Sequence, residues 1–332
     1  MAILVLGGAG YIGSHTVAAL TEAGRDVVVV DNLQTGYRQA VPKQIPFYKV
    51  DIRNSKQLNN VFEKESIEGV IHFAANSLVG ESMENPLKYY DNNLHGTQVL
   101  LEVMLDNNVK NIVFSSTAAT YGEPTRIPIL ENDPTVPTNC YGETKLAMER
   151  MMHWVNIAHQ LNYVALRYFN AAGAHPSGTI GEAHIPETHL IPLILQVPNG
   201  QRESVSVFGT DYPTPDGTPV RDYIHVMDLA AAHILALDYL IAKGNNAVFN
   251  LGNGVGFSVR EVIEISRVIT GHEIPEVHIE RRSGDPAQLV ASAEKAKTVL
   301  GWKPQYADLA TIIGTAWQWH KHNPNGYADY GD

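Results

Sequence analysis

The stretch "LVLGGAGYIGSH", residues 4–15, joins an apolar strand to a helix through a run of glycines, and the rest of the fold builds outward from it. It fits both Gly7-x-x-Gly10-x-x-Gly13 and Gly8-x-Gly10-x-x-Gly13. Glycines in this pattern permit a tight turn, a close approach of backbone to a pyrophosphate, and close packing of helix on strand. Exposed N–H groups and the helix dipole then favour anionic phosphate. Asp31 ends the second apolar run, 18 residues past Gly13. A carboxylate there accepts hydrogen bonds from ribose hydroxyls and repels a 2′-phosphate, which predicts NAD over NADP. Arg38 is the nearest downstream residue that argues for NADP, and it ranks below Asp31. A phosphate loop of the ATPase kind is excluded, since Ser14 and His15 stand where Lys and Ser/Thr are required.

Apolar runs at 2–7, 26–31, 46–51, 69–75, 111–116 and 163–168 alternate with helix-like stretches at 12–23, 55–65, 86–107 and 141–161. Several runs are apolar at successive positions, as strands buried on both faces should be. The rhythm predicts an α/β fold, a Rossmann-type doubly wound parallel sheet with helices on both faces. After residue 170 prolines and glycines crowd the chain as far as Pro219. We therefore expect an NAD-binding domain over residues 1–170 and a smaller mixed α/β substrate-binding domain over 171–332. Helices are expected at 226–243 and 258–269, with segments at about 220–245 packing back on the first domain.

Bulk properties narrow the function. The 332 residues are 44% apolar with a formal net charge of −11, which argues against a general nucleic-acid binder. Any anionic ligand must be held by a few positioned arginines. The single cysteine, Cys140, permits no internal disulfide and fits a reducing cytoplasm. The most apolar segment, "LAAAHILALDYLIA", is short and broken by His233 and Asp238, so no membrane span is expected. The start "MAILVLGGAG" has no basic region and reads as a buried strand, not a signal peptide. Fourteen histidines invite a metal, but neither HExxH nor paired CxxC occurs, and no metal site is expected.

The stretch "CYGETK" places Tyr141 four residues before Lys145, on one face of a helix. A free tyrosine titrates near ~10 and is a poor base at neutral pH. A fixed ammonium and a positive nicotinamide ring would favour the phenolate and lower that value. The same lysine can hydrogen-bond the nicotinamide ribose. "FSSTAATYG" at the end of the fifth strand puts Ser115 and Thr117 at the sheet edge where doubly wound folds bind ligands.

Together these features resemble the extended short-chain dehydrogenase/reductase family along the whole chain. Within it, "NLQTG", "RYFNAAGAHPSG", "FGTDYPTPDGTPVRDYIHVMDLA" and "RRSGDPA" are similar to the UDP-hexose 4-epimerases. The resemblance implies cofactor contacts at Gly7, Gly10, Tyr11, Ile12, Gly13, Asp31, Asn32, Asp51, Ile52, Phe73, Ala74, Asn92, Ser115, Tyr141, Lys145 and Tyr168. For a UDP-sugar substrate it implies Arg221 and Arg282 on the diphosphate and Asn170 on the phosphate or sugar. Phe208 would lie near uracil and Asp285 on the uridine ribose, with Thr117, Tyr141, His189 and Leu289 completing the substrate site.

The implied reaction interconverts UDP-galactose and UDP-glucose, in galactose metabolism. Tyr141, directly or through Thr117, takes the proton of the sugar 4-hydroxyl while hydride leaves carbon 4 for NAD. The 4-keto sugar swings about its phosphate linkage and hydride returns to the opposite face, with no net redox change. Three positions depart from some relatives. Ser77 stands where a lysine would reach the pyrophosphate, and His189 where an asparagine would contact substrate. Leu289 replaces a tyrosine that narrows the sugar pocket, which would admit a 2-acetamido group. A 4,6-dehydratase is disfavoured, because Ala118 and Ala119 follow Thr117 where its acid and base would stand. The family also implies a homodimer, formed by the segments 86–107 and 141–161.

Overall fold

The computed structural model describes residues 1–281 and 285–330. In chain order the first strands are β1 (Ala2–Leu6), β2 (Val27–Asp31), β3 (Phe47–Lys49), β4 (Ile67–His72), β5 (Asn111–Ser115) and β6 (Asn162–Arg167). They are followed by β7 (Asn170–Ala172), β8 (Val205–Phe208), β9 (Val220–Arg221), β10 (Tyr223–His225) and β11 (Ala247–Asn250). The last are β12 (Phe257–Ser258), β13 (Glu276–Ile279) and β14 (Gln288–Leu289). The helices are α1 (Tyr11–Glu22), α2 (Ser55–Lys64), α3 (Val79–Glu84), α4 (Pro86–Tyr89) and α5 (Gly96–Asp106). Then come α6 (Cys140–His159), α7 (Leu190–Leu195), α8 (Val226–Lys243), α9 (Val259–Thr270) and α10 (Leu309–His322).

The main sheet has seven strands in the order β11-β6-β5-β4-β1-β2-β3, with every neighbouring pair parallel. This is the doubly wound α/β sheet the sequence predicts. Alternation along each strand feeds two cores. Ile3, Val5, Val29, Val113 and Leu166 face α1 and α8, through Val17, Leu20, Ala236 and Leu240. Leu4, Leu6, Val28, Val30 and Phe114 face α2, α5 and α6, through Val61, Leu100, Met104 and Met148. Residues 226–250 thus return to the first half of the chain, supplying α8 and the edge strand β11. A third core lies between α7, β8, α9 and α10, around Ile194, Val207, Ile263 and Ile313.

The single helix expected over 86–107 is interrupted. Tyr90–His95 forms a π-helical turn between α4 and α5. Asn93 supplies the reason: its amide accepts from Asn76 N at 2.8 Å and donates to Asn76 O at 3.1 Å and Thr144 Oγ1 at 3.2 Å. Locking that side chain onto the β4–α3 connection and α6 favours the wider turn, a device common near functional sites.

The ends of β5 and β6 are tied to helix α6 by a buried ionic group. Arg167 donates to Glu149 through Nε at 3.0 Å and Nη2 at 2.5 Å, and Ser116 donates to the same carboxylate. Both charged side chains are less than a tenth exposed. Removing one partner of such a pair strands the other charge out of water, at a cost of about 3–5 kcal/mol. Glu149→Ala should lower the unfolding free energy by that order in urea titrations. A loss below about 1 kcal/mol would mean that water reaches Arg167 and the pair does not anchor α6.

Candidate active site

The strand order reverses between β1 and β4, and there the carboxyl ends of the strands open a crevice. The glycine turn lines one wall. A Cβ on Gly13 would lie 2.1 Å from Gly7 O, and one on Gly7 2.7 Å from Ala74 N, so only backbone fits between β1, α1 and β4. Gly7 also has a φ of 75°, which favours glycine. Gly10 caps α1 without a side chain, so the first N–H groups of that helix face the crevice uncapped. This cradle fits a pyrophosphate. Tyr11 is not at its rim through the hydroxyl, which donates to Gly173 O at 2.6 Å.

Asp31 is buried and accepts from Ala9 N at 3.0 Å and Leu33 N at 2.8 Å, one bond per carboxylate oxygen. Each oxygen keeps a lone pair for a ribose hydroxyl. Arg38 stacks on Phe47 at 4.6 Å and donates to Val41 O at 2.7 Å, so both its cation and its fork are engaged beside β3. Asp51 is clasped by Arg53 at 2.9 and 2.8 Å and accepts from Asn32 at 3.1 Å. Hydrogen bonding to Arg53 holds the Asp51 carboxyl well below the usual carboxylate range. Ile52 is buried in the core of the α2 face, against Gly96. Asn92 is buried and donates to Asn93 Oδ1 at 3.0 Å. Phe73 packs its ring 4.6 Å from that of His233.

The opposite wall is α6. Asn139 caps it by accepting from Gly142 N at 2.8 Å, which starts the helix one residue before Tyr141. Lys145 Nζ donates to Ser115 O at 2.8 Å and lies 5.9 Å from the Tyr141 ring centroid. Ser115 Oγ and Tyr168 OH are 2.5 Å apart. Thr117, in extended backbone just past the end of β5, lies near enough to the Tyr141 phenol to favour its ionised form. The structure therefore brings Ser115, Thr117, Tyr141, Lys145 and Tyr168 together beside the glycine turn.

The protein's own groups do not lower the Tyr141 pKa: burial pushes it up to about 12, against a smaller opposing pull from Thr117. Lys145 is buried too. Desolvation brings its ammonium down to about 7, partly offset by Glu149, so at neutral pH only part of the lysine population carries the charge that would favour the phenolate.

On the substrate side, β9 pairs with both β12 and β14, setting Leu289 beside Arg221 in the ladder. Leu289 packs on a cluster of Ala118 and Tyr121, in the turn directly after Thr117, and of Ile129 further along the chain. Arg221 and Asp285 form an ion pair at 2.5 Å, so two residues expected on different parts of a ligand meet each other first. Asn170 heads β7, which pairs with β10, and Phe208 ends β8. His189 hydrogen-bonds Glu182. Arg282 lies outside the described residues.

Two groups escape the sequence reading. Glu149 follows Tyr141 and Lys145 at the same spacing of four, a signal present in "CYGETKLAME" but not used. The second is a grouping of side chains that neither HExxH nor CxxC describes. Glu182, His184, Glu187 and His189 bring ligand atoms within 4.8 Å of one another, through a loop whose spacing matches no helical or CxxC pattern.

A strand–glycine–helix cradle facing a buried Tyr–Lys–Thr group defines a nucleotide-dependent enzyme of the dehydrogenase/reductase class. Residues 3–252 match the model of the NAD dependent epimerase/dehydratase family, and the chain belongs to that family. It is 61% identical over 328 residues to the UDP-glucose 4-epimerase of Halalkalibacterium halodurans, covering 99% of this chain and 98% of that one. A crystal structure of a UDP-glucose 4-epimerase superposes with a TM-score of 0.97 at 57% identity, covering 98% of this chain and 99% of the other. That of the Bifidobacterium longum UDP-glucose 4-epimerase in complex with NAD+ and UDP gives 0.93 at 42%, covering 98% and 100%. Among the described residues no helix is long and apolar enough to cross a membrane.

Lys145 yields a pH prediction. Its pKa is about 7 in the fold against a reference of 10.5, so between these values the unfolded chain binds a proton the native state does not. The cost of burying the ammonium is full below about 7 and is relieved as pH rises towards about 10.5. Across that window wild-type stability should rise relative to Lys145→Met, by roughly 1 kcal/mol per pH unit at most. Parallel pH profiles in denaturant titrations would show that the lysine is not desolvated.

Proposed function

We propose that this protein interconverts UDP-galactose and UDP-glucose by inverting carbon 4 of the hexose with NAD as a bound, recycled cofactor. The observation that carries this reading is the convergence of Tyr141, Thr117, Lys145 and Ser115 beside the glycine turn, in a chain similar throughout to UDP-glucose 4-epimerases. Bound NAD supplies a hydride acceptor that can return the same hydride. Gly7, Gly10 and Gly13, with Tyr11 and Ile12, would hold its pyrophosphate, and Asp31 and Asn32 its adenosine ribose. Asp51, Ile52, Phe73, Ala74 and Asn92 would enclose the adenine side, with Ser115, Lys145 and Tyr168 on the nicotinamide side.

The protein's own residues then handle protons and position. Tyr141 accepts the proton of the sugar 4-hydroxyl and gives it back, with Thr117 close to the phenol and placed to serve as a relay. Lys145 stays fixed by Ser115 O and orients the nicotinamide ribose. Arg221 must exchange Asp285 for diphosphate, freeing that carboxylate for the uridine ribose. Arg282, Asn170 and Phe208 would complete the anchoring of the UDP moiety, so that the hexose alone can turn over, while His189 is turned to Glu182. The division near residue 171 separates the NAD and substrate roles, with residues 226–250 returned to the first layer.

We also propose a cytoplasmic homodimer. Leu87 of α4 and Trp154 and Ile157 of α6 are exposed apolar side chains on the two segments expected to pair across the two-fold axis. Light scattering of the purified protein should give twice the chain mass, and a monomer would remove this reading.

The activity is tested by incubating purified protein with UDP-galactose, without added reductant, and following UDP-glucose by NMR. Conversion is expected, with Tyr141→Phe slower by on the order of 10²–10⁴-fold. No conversion by NAD-loaded wild type would overturn the proposal. Leu289 leaves the wall beside Thr117 with an aliphatic side chain, which favours acceptance of UDP-N-acetylglucosamine as well. Leu289→Tyr should suppress turnover of the N-acetylated sugar more than that of UDP-galactose. Wild type inert towards UDP-N-acetylglucosamine would end that extension.

A further inference from the structure

We propose that Glu182, His184, Glu187 and His189 form a binding site for a divalent transition-metal ion of the Zn²⁺ class, separate from the Tyr141 group. The four lie in the loop between β7 and α7, and each presents one ligand atom within 4.8 Å of the others. Two imidazoles and two carboxylates match zinc and its neighbours, whereas magnesium and calcium take oxygen donors alone.

The spacing is that of a coordination shell. Ligands about 2.0–2.1 Å from a tetrahedral ion stand roughly 3.3–3.4 Å from one another. His184 Nδ1 lies 3.3 Å from Glu182 Oε1 and 3.5 Å from Glu187 Oε2. That nitrogen is buried and ion-paired to both carboxylates, without hydrogen-bond geometry to either. An ion among the three would replace these ion pairs by direct ligation. His189 Nδ1 is 3.9 Å from Glu187 Oε1 and hydrogen-bonds Glu182 Oε1, and that hydrogen bond must open to admit the ion.

The surroundings hold the ligands in place. Glu187 Oε1 accepts from Thr188 N at 2.7 Å and His189 N at 2.8 Å, which leaves Oε2 for the ion. Trp319 Nε1 donates to Glu182 O at 3.0 Å, fixing the start of the loop to α10. The rings of His184 and His189 stand edge to face at 5.1 Å, and Tyr11 packs edge-on to His184 at 6.2 Å. Such outer contacts orient ligands and are the usual companions of a metal site.

The test uses the full chain, stripped with chelator and titrated with Co²⁺ and then Zn²⁺. One Co²⁺ per chain with the intense visible bands of four-coordinate cobalt is expected, erased by one equivalent of Zn²⁺. Zn²⁺ should also raise the melting temperature of the wild type. His184→Ala should weaken binding at least about tenfold and remove the bands. His189→Ala, at the exposed member of the set, serves if His184→Ala does not fold, and circular dichroism confirms that each variant is folded. No stoichiometric binding would overturn the proposal, as would binding of equal strength in the folded variants. Because binding and cobalt spectra are read directly, the outcome does not depend on epimerase activity.

Discussion

The hydrogen bond from the buried Lys145 amino group to Ser115 O fixes the position from which the rest of the site follows. It is one of three attachments spaced by four residues along α6. Tyr141 reaches Thr117, Lys145 reaches Ser115, and Glu149 reaches Ser116 and Arg167. A helix pinned at i, i+4 and i+8 to the ends of two adjacent strands cannot slide or roll by a residue without breaking all three contacts. The placement of the phenol is thus a property of the sheet and helix together. The ionic pair that fixes the far end is costly to break, so the anchor that positions the tyrosine is also part of the stability of the fold.

The glycine turn imposes the matching constraint from the other wall. Gly13 sits so close to Gly7 O, and Gly7 so close to Ala74 N, that β1, α1 and β4 meet through backbone alone. This brings the start of α1 to the reversal of strand order, which is also where β4 and β5 carry the chain towards Ser115 and Thr117. Asp31 is held in the same place by two backbone N–H groups, one of them from the glycine turn itself. A dinucleotide laid along these groups runs from the end of β2 to the end of β5, across the width of the crevice.

The sheet, its two cores and the glycine turn are legible in the sequence because they rest on short-range regularities. Alternating burial, apolar runs and glycine spacing act within a dozen residues. The π turn at Tyr90–His95 is not legible, because Asn93 obtains its partners from Asn76 and Thr144, far along the chain. The pairing of Arg221 with Asp285 is hidden for the same reason, as is the gathering of Glu182, His184, Glu187 and His189 by an irregular loop. Strand β11 is four residues long and carries no rhythm of its own, so only its pairing with β6 reveals it. Glu149 differs from these, since its spacing from Lys145 was available and lacked only the knowledge that Arg167 ends β6 beside it.

The direction of the Tyr141 shift shows what sequence spacing leaves out. Spacing places an ammonium one helical turn from a phenol, and in water that would favour the phenolate slightly. Burial acts on both groups at once, raising the phenol to about 12 and lowering the amine to about 7, so each loses the charge that would have stabilised the other. The same exclusion of water removes the screening between any charges that are present. A cation held against the Tyr141–Lys145 wall would therefore act on the phenol far more strongly than it could at an exposed surface. Desolvation and Coulomb attraction here have one origin and opposite signs, so the acidity of Tyr141 is set by what occupies the crevice more than by the lysine beside it.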